Sequence, residues 1–187
     1  LGSAQQLAEK GAPEAARLIS DLIRFLRAAT PALRNDMTTI GEEAAMIRAY
    51  LGIMGTRLGK RLSWSVEVEP ALADVSIPPG MLITLTENAI KHGIEPAPRG
   101  GRVDVTVRRD GDGVALCVAD TGVGLTQAAS SSGIGLANIR ERLDLLFGER
   151  AALELTEAEP HGFCARIRLP LSATHEQQVL PLEIAPR

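Results

Sequence analysis

The chain has 187 residues, 45% of them apolar and 23% charged, with a formal net charge of −3. That length supports one hydrophobic core, or one domain with a helical appendage, and the charge balance offers no basic field for nucleic acid or an anionic membrane. No apolar run approaches the roughly 20 residues that span a bilayer, and no signal peptide opens the sequence.

Residues 1–10 read as the end of a helix, turned at Gly11-Ala12-Pro13. Residues 13–29 have helical periodicity: Leu18, Leu22, Phe25, Leu26 and Ala29 form one stripe, and Glu14, Arg17, Asp21 and Arg24 the opposite one. After Pro31 and a polar stretch, Ile40, Ala44, Ile47, Leu51, Met54 and Leu58 alternate steps of four and three. That spacing suits a coiled-coil seam between chains and a helix packed on its own domain equally well. At Leu62, Trp64, Val66 and Val68 the period changes to two, a strand.

Pro78-Pro79-Gly80 opens a helix expected to run to about Gly93. Two strands, 102–110 and 114–120, are joined by a turn at Gly111-Asp112-Gly113. A Gly/Ser-rich stretch over 121–133 leads into a helix from Ile134 to Phe147, and strands at 151–159 and 162–170 follow. The tail after Pro170 has little pattern and is expected to be irregular. Helices followed by mixed strands and helices, with a strand hairpin, predict an α/β two-layer sandwich, a mixed sheet with helices on one face, behind an N-terminal helical segment. The two cysteines, Cys117 and Cys164, fall in strand runs and read as small buried hydrophobes in a reducing compartment. No Cys/His cluster has zinc spacing.

Three stretches carry chemistry. In "LTENAIKHG" (85–93), polar groups interrupt an apolar helix. At about 100° per residue, Asn88, Lys91 and His92 share one arc with Thr84, with Glu87 at its edge. An amide oxygen is a hard ligand suited to Mg²⁺, a lysine suits phosphate, and a carboxylate can accept a proton. A solvated polar face is the plainer alternative. In "VADTGVGL" (118–125), a strand ends in Asp120, and Gly122 and Gly124 let backbone approach a flat ligand. A buried carboxylate there can accept from an exocyclic amine such as that of adenine, whereas guanine would oppose it with a carbonyl. A simple turn explains the same residues. In "SSGIGLANIRERL" (131–143), Gly133 and Gly135 open an amphipathic helix whose first N–H groups and dipole favour an anion. Their spacing fits neither the P-loop nor the dinucleotide fingerprint.

Taken in order, "ENAIKHG", "DTGVG" and "SGIGLANIRERL" resemble the N, G1 and G2 boxes of the GHKL ATP-binding superfamily, which includes gyrase, MutL and sensor histidine kinases. The wording, with "EEAAMIRAYLGIMGTRLGKRLSW" ahead of a "PP" helix start, is similar to the LytS-type sensor histidine kinases. The resemblance covers roughly residues 1–170 and implies a Bergerat-type sandwich. It divides the chain into a helical dimerisation and linker segment (1–60), an ATP-binding catalytic domain (61–170) and a tail (171–187). By position it implies that Asn88 ligates Mg²⁺ on the ATP phosphates and that Glu87 is the general base or its orienting carboxylate. Lys91 and His92 would lie near phosphate or ribose. Asp120 would bind the adenine amine, in a pocket shaped by Gly122 and Gly124, and Gly133, Ile134, Gly135 and Leu136 would belong to the lid.

The implied activity is ATP-dependent phosphorylation of a histidine for relay to a response regulator, by a homodimeric, cytoplasmic catalytic region that reaches a membrane only through other segments. One feature departs from the family. Of His92, His161 and His175, none is followed by the acceptor pattern, so the acceptor is expected upstream of Leu1 and the chain alone should not phosphorylate itself. Another GHKL enzyme, such as an anti-sigma-type serine kinase or an ATPase, and a non-catalytic nucleotide-sensing dimerisation module are the alternatives.

Overall fold

A computed structural model describes residues 19–20, 22–23, 37–124, 134–158 and 161–171. Ile19, Ser20, Leu22 and Ile23 are helical, as the pattern there requires. The remainder of that stripe, the glycine/serine stretch with Gly133, and the tail with His175 lie outside the described residues.

Strand β1 (Thr38–Thr39) leads directly into helix α1 (Ile40–Leu58), then come β2 (Leu62–Val68), β3 (Ser76–Ile77) and helix α2 (Met81–Asn88), whose last residue passes into a π-helical turn (Ala89–Ile94). β4 (Gly101–Asp110), β5 (Gly113–Asp120), helix α3 (Ile134–Phe147), β6 (Ala152–Glu157) and β7 (Phe163–Pro170) complete the order. Five strands form one sheet in the order β2-β4-β5-β7-β6, while β1 and β3 make a small antiparallel pair. The β2–β4 pair is parallel and the other three are antiparallel. A parallel pair needs a crossover, which α2 supplies. The helix carrying the first polar stretch is therefore held over the sheet by its own connectivity.

Alternation sets the two faces. Val103, Val105 and Val107 of β4, Val114, Leu116 and Val118 of β5, and Ala165, Ile167 and Leu169 of β7 point inward and are all buried. They form one core with residues of the three helices. The opposite face carries polar and small side chains, and among the described residues no helix packs on it. The mixed sheet with helices on one face is thus as the sequence leads one to expect.

The turn between β4 and β5 is tighter than expected. Asp110 pairs with Gly113, so only Gly111 and Asp112 loop out, with Gly111 at φ 60°. Gly113 belongs to the ladder, where a Cβ would come within 2.5 Å of the Leu169 carbonyl oxygen.

Helix α1 starts at a capping box: the Glu42 N–H donates to Thr39 Oγ1 (3.2 Å), and the Thr39 N–H donates to Glu42 Oε2 (2.9 Å). Its seam turns inward. Ile40, Ala44, Ile47 and Leu51 are at most 1% exposed, and Met54 and Leu58 pack against the same core. Of the two uses of that spacing, packing on the chain's own domain is the one realised. Among the described residues, no helix is long and apolar enough to cross a membrane.

Ile47→Ala should therefore lower the unfolding free energy by about 2–5 kcal/mol, the usual cost of a core cavity, without changing the mass in solution. Urea denaturation with light scattering checks both. A change of oligomeric state with little loss of stability would return the seam to an intermolecular role.

Candidate functional site

The start of α2 is fixed from α1. Glu43, 1% exposed, accepts hydrogen bonds from three backbone N–H groups, those of Gly80 (2.7 Å), Leu82 (3.0 Å) and Ile83 (3.3 Å). These are donors that a helix start cannot satisfy internally, and Gly80 reaches them in the left-handed conformation, φ 86°. Burial raises the Glu43 carboxyl above its ordinary range, while the Gly80, Ile83 and Leu82 donors and the Arg142 charge draw it back. Arg142, on α3, also donates to the Pro79 carbonyl (3.0 Å), tying the third helix to the same point.

Along α2, Leu82, Ile83 and Leu85 are buried, as is Thr86, whose hydroxyl donates to the Leu82 carbonyl (2.8 Å). Thr84 and Asn88 are half-buried, and Glu87 and Lys91 are exposed. The π turn alters the expected arc. Each residue of a wider turn advances less than the ~100° of an α-helix, so Lys91 stays beside Glu87 and His92 falls back toward the row of Thr84 and Asn88. At the rim, partial loss of solvent raises the Glu87 carboxyl and the Lys91 ammonium opposes it. Tyr50 of α1 feels the same carboxylate: burial first, then the Glu87 charge, push its phenol up to about 12.

The end of the π turn meets the end of β5. Asp120 is 2% exposed, and its Oδ1 accepts from the Gly122 N–H at 2.8 Å. Burial raises its carboxyl to about 6, opposed by the Gly122 and Phe163 backbone donors. Gly93 lies against this carboxylate: a Cβ there would stand 2.5 Å from Asp120 Oδ1, and one on Gly122 would stand 2.2 Å from the Gly93 carbonyl. The Val123 N–H closes the joint on the Gly93 carbonyl (3.2 Å). Both glycines are required by close approach, and Gly124 by its φ of 76°. The first and second polar stretches thus share one wall.

The first and third stretches meet on the other side. A Cβ on Gly135, in the first turn of α3, would lie 3.0 Å from Thr84 Cγ2 and 3.8 Å from Asn88 Nδ2. Between the starts of α2 and α3 is a cavity of about 210 Å³ lined by Gly80, Thr84, Gly135, Asn138 and Arg142 among others. Ile134 opens α3. Leu136 turns into the core (6% exposed), so its contribution to the cleft is the position it gives Gly135. His161 stands exposed in the bend between β6 and β7. Glu43, Arg142 and Tyr50 were missed as site residues, because an acidic first turn and a helical Arg or Tyr are ordinary features of any helix.

Known proteins give this arrangement a context. The sequence profile of the histidine kinase-, DNA gyrase B- and HSP90-like ATPases matches residues 80–173, and that of the histidine kinases matches residues 1–62. The sensor histidine kinase YesM of Bacillus subtilis is 32% identical over 142 residues, covering 74% of this chain and 25% of its own length. The sensor histidine kinase/phosphatase LytS of Staphylococcus aureus is 32% identical over 177 residues, covering 88% and 30%. This chain therefore spans about a quarter to a third of the relatives it matches. Among solved structures, the histidine kinase domain of a blue-light activated kinase from Erythrobacter litoralis superposes with a TM-score of 0.57 at 19% identity, covering 92% of this chain and 86% of that one. The catalytic domain of histidine kinase ThkA does so at 0.53 and 14%, covering 72% and 94%. Both share the fold.

The raised Asp120 carboxyl makes stability depend on pH. Between an ordinary value of 3.8 and about 6 the folded state holds a proton that the unfolded state has released. Stability from this group is complete below the lower value and is lost as pH rises through the upper one, by on the order of 3 kcal/mol. Glu43 and Glu87 act in the same direction, so the informative quantity is the difference between the wild type and Asp120→Asn. Urea midpoints from pH 4 to 7 should fall more steeply for the wild type. Parallel curves would show that Asp120 is not desolvated as described.

Proposed function

The chain belongs to the histidine kinase-, DNA gyrase B- and HSP90-like ATPase family, and from that premise we propose that the cleft between α2, α3 and the end of β5 binds Mg-ATP and presents its γ-phosphate to a histidine for relay to a response regulator. Asn88 carries the reading. Among the described residues, its Nδ2 is the buried side-chain polar atom without a hydrogen-bond partner. Such an atom is costly unless something fills its place. Oxygen and nitrogen of an amide exchange by a simple flip, so the same position can offer a hard oxygen to a cation. The residues present therefore fit Mg²⁺, which Asn88 would hold beside the nucleotide phosphates. A bound Mg²⁺ would neutralise the charge that develops as the phosphoryl group moves.

This chain's own residues supply the remainder. The desolvated Asp120 carboxylate accepts from the adenine amine and meets the guanine carbonyl as a second acceptor, which sets the choice of base. Gly93, Gly122 and Gly124 keep side chains out of the space beside it. Lys91 is a point charge for phosphate at the rim, and His92 lies near phosphate or ribose. Gly133, Ile134, Gly135 and Leu136 belong to the lid over the triphosphate. Glu87 accepts the N–H proton of the attacking imidazole, or orients that ring; the rise of its carboxyl on burial makes it a stronger base than a free glutamate. Residues 61–170 form the nucleotide domain and 171–187 an irregular tail. Residues 1–60 act as the dimerisation and linker segment, whose last helix packs its seam on the sheet. The whole protein works as a cytoplasmic homodimer, anchored to a membrane only by other segments. His92 belongs to the nucleotide site, and His161 stands exposed in the bend next to Gly162, which lies against the Asp120 carbonyl. Neither is followed by the acceptor pattern, and this reading takes the receiving histidine from another segment of the protein.

Titration calorimetry tests the nucleotide site. Mg-ATP and ADP should bind, and GTP should bind far more weakly. Asn88→Ala should weaken Mg-ATP more than metal-free ATP, and equal losses would reduce Asn88 to a packing residue. Equal affinity for ATP and GTP would remove Asp120 as the reader of the base.

A further inference from the structure

The face of the sheet turned away from the described helices carries a pair of sulfurs that the nucleotide site does not use. Cys117 on β5 pairs with Arg166 of β7, and Cys164 on β7 pairs with Ala119 of β5, so the cysteines are diagonal neighbours on one face of adjacent strands. Their Sγ atoms are 3.0 Å apart, and both residues are half-buried with access from solvent. They are not the fully buried hydrophobes the sequence implies, because both side chains point away from the helices.

The two sulfurs have unequal surroundings. Donors converge on Cys117: the Cys164 thiol first, then the Arg166 guanidinium and the Thr106 hydroxyl from the flanking strands. Together they lower the Cys117 thiol to about 6 against the effect of burial. Cys164 is pushed the other way, chiefly by hydrogen bonding to Cys117 and then by burial, and Thr156 of β6 is the hydroxyl beside it. Arg166 and Thr106, directly opposite Cys117 on its two neighbouring strands, make Cys117 the sulfur better placed to react as thiolate, the nucleophilic form.

We propose that Cys117 and Cys164 form a reversible thiol–disulfide couple that responds to hydroperoxides, Cys117 attacking and Cys164 resolving. The Cys117 thiolate attacks a peroxide oxygen and breaks the O–O bond, leaving a sulfenic acid; the departing hydroxide takes a proton and becomes water. The Cys164 sulfur then attacks the Cys117 sulfur, and the sulfenic oxygen leaves as a second water with the Cys164 proton. Two thiols lose two electrons and two protons, and hydrogen peroxide is reduced to two waters. The sulfurs must close from 3.0 Å to about 2.05 Å. A thiol reductant reverses the step, and in a reducing compartment the pair rests as thiols. The strands being joined are those whose ends carry Asp120 and Phe163, immediately beside the cleft.

The test is exposure of the purified chain to hydrogen peroxide, followed by alkylation and peptide mapping without reductant. The expected product is a chain lighter by two hydrogens, with one linked peptide containing Cys117 and Cys164, reversed by dithiothreitol. In Cys164→Ser, dimedone should trap a sulfenic acid at Cys117. In Cys117→Ser, the remaining thiol should oxidise more slowly than Cys117 does in Cys164→Ser, because burial still opposes its thiolate while Arg166 stands opposite position 117 in the ladder. Two thiols still free after peroxide, or links only between chains, would overturn the couple. Equal oxidation rates in the two serine variants would overturn the assignment of Cys117 as the attacking sulfur.

Discussion

A carboxylate with almost no access to water holds the cleft in place. Glu43 takes three backbone donors at the start of α2, and no solvent competes for them. A buried carboxylate is tolerated only when such bonds satisfy it, so the arrangement is close to all-or-none: either α2 begins at Gly80 against α1, or a charge is stranded in the core. Asn88 and the π turn follow from that starting point. Arg142 joins α3 to the adjacent Pro79 carbonyl, which sets the width of the gap between Thr84 and Gly135. The far end of the same helix is fixed by contact alone, since Gly93 and Gly122 approach so closely that neither tolerates a side chain. One element, anchored at both ends, thus places the Asn88 amide between two glycine-lined walls.

Three carboxyls in or near this framework, Glu43, Glu87 and Asp120, are raised above their ordinary range, each chiefly by burial. The uses differ with the partners. Glu43 is spent on structure, bonded only to backbone. Glu87 is at the rim beside Lys91, where a proton can come and go. Asp120 is desolvated at the end of a strand, where a purine amine can meet it. A buried acceptor discriminates strongly between a donor and another acceptor, and that is the property the proposed reading asks of Asp120.

Much of this was legible in the residues. The period-two runs give the strands, the four-and-three seam gives α1, and the order of the three polar stretches gives the family. What escaped had no local signature. Glu43 stands beside Glu42 in a helix's first turn, where acidic residues are common for reasons of the dipole alone, and its partner Gly80 is 37 positions away. The π turn depends on how the chain must reach Asp120, not on a pattern in "AIKHG". The parallel pairing of β2 and β4 and the contact between Cys117 and Cys164 both require the strand order β2-β4-β5-β7-β6, which no run of side chains encodes. The two-residue pair of β1 and β3 is too short to display a period at all.

The claim on which the account turns is that Asn88 and the first turn of α3 face the metal of a bound nucleotide. Paramagnetic relaxation reports this directly: Mn²⁺ replaces Mg²⁺ in the ATP complex, and the amide signals of the folded protein are followed by NMR. The side-chain amide of Asn88 and the backbone amide of Gly135 should be among the most strongly broadened, while signals at the opposite end of the sheet, around Asp112 and Arg168, remain sharp. Sharp Asn88 and Gly135 signals in a saturated complex, with broadening centred elsewhere, would contradict it.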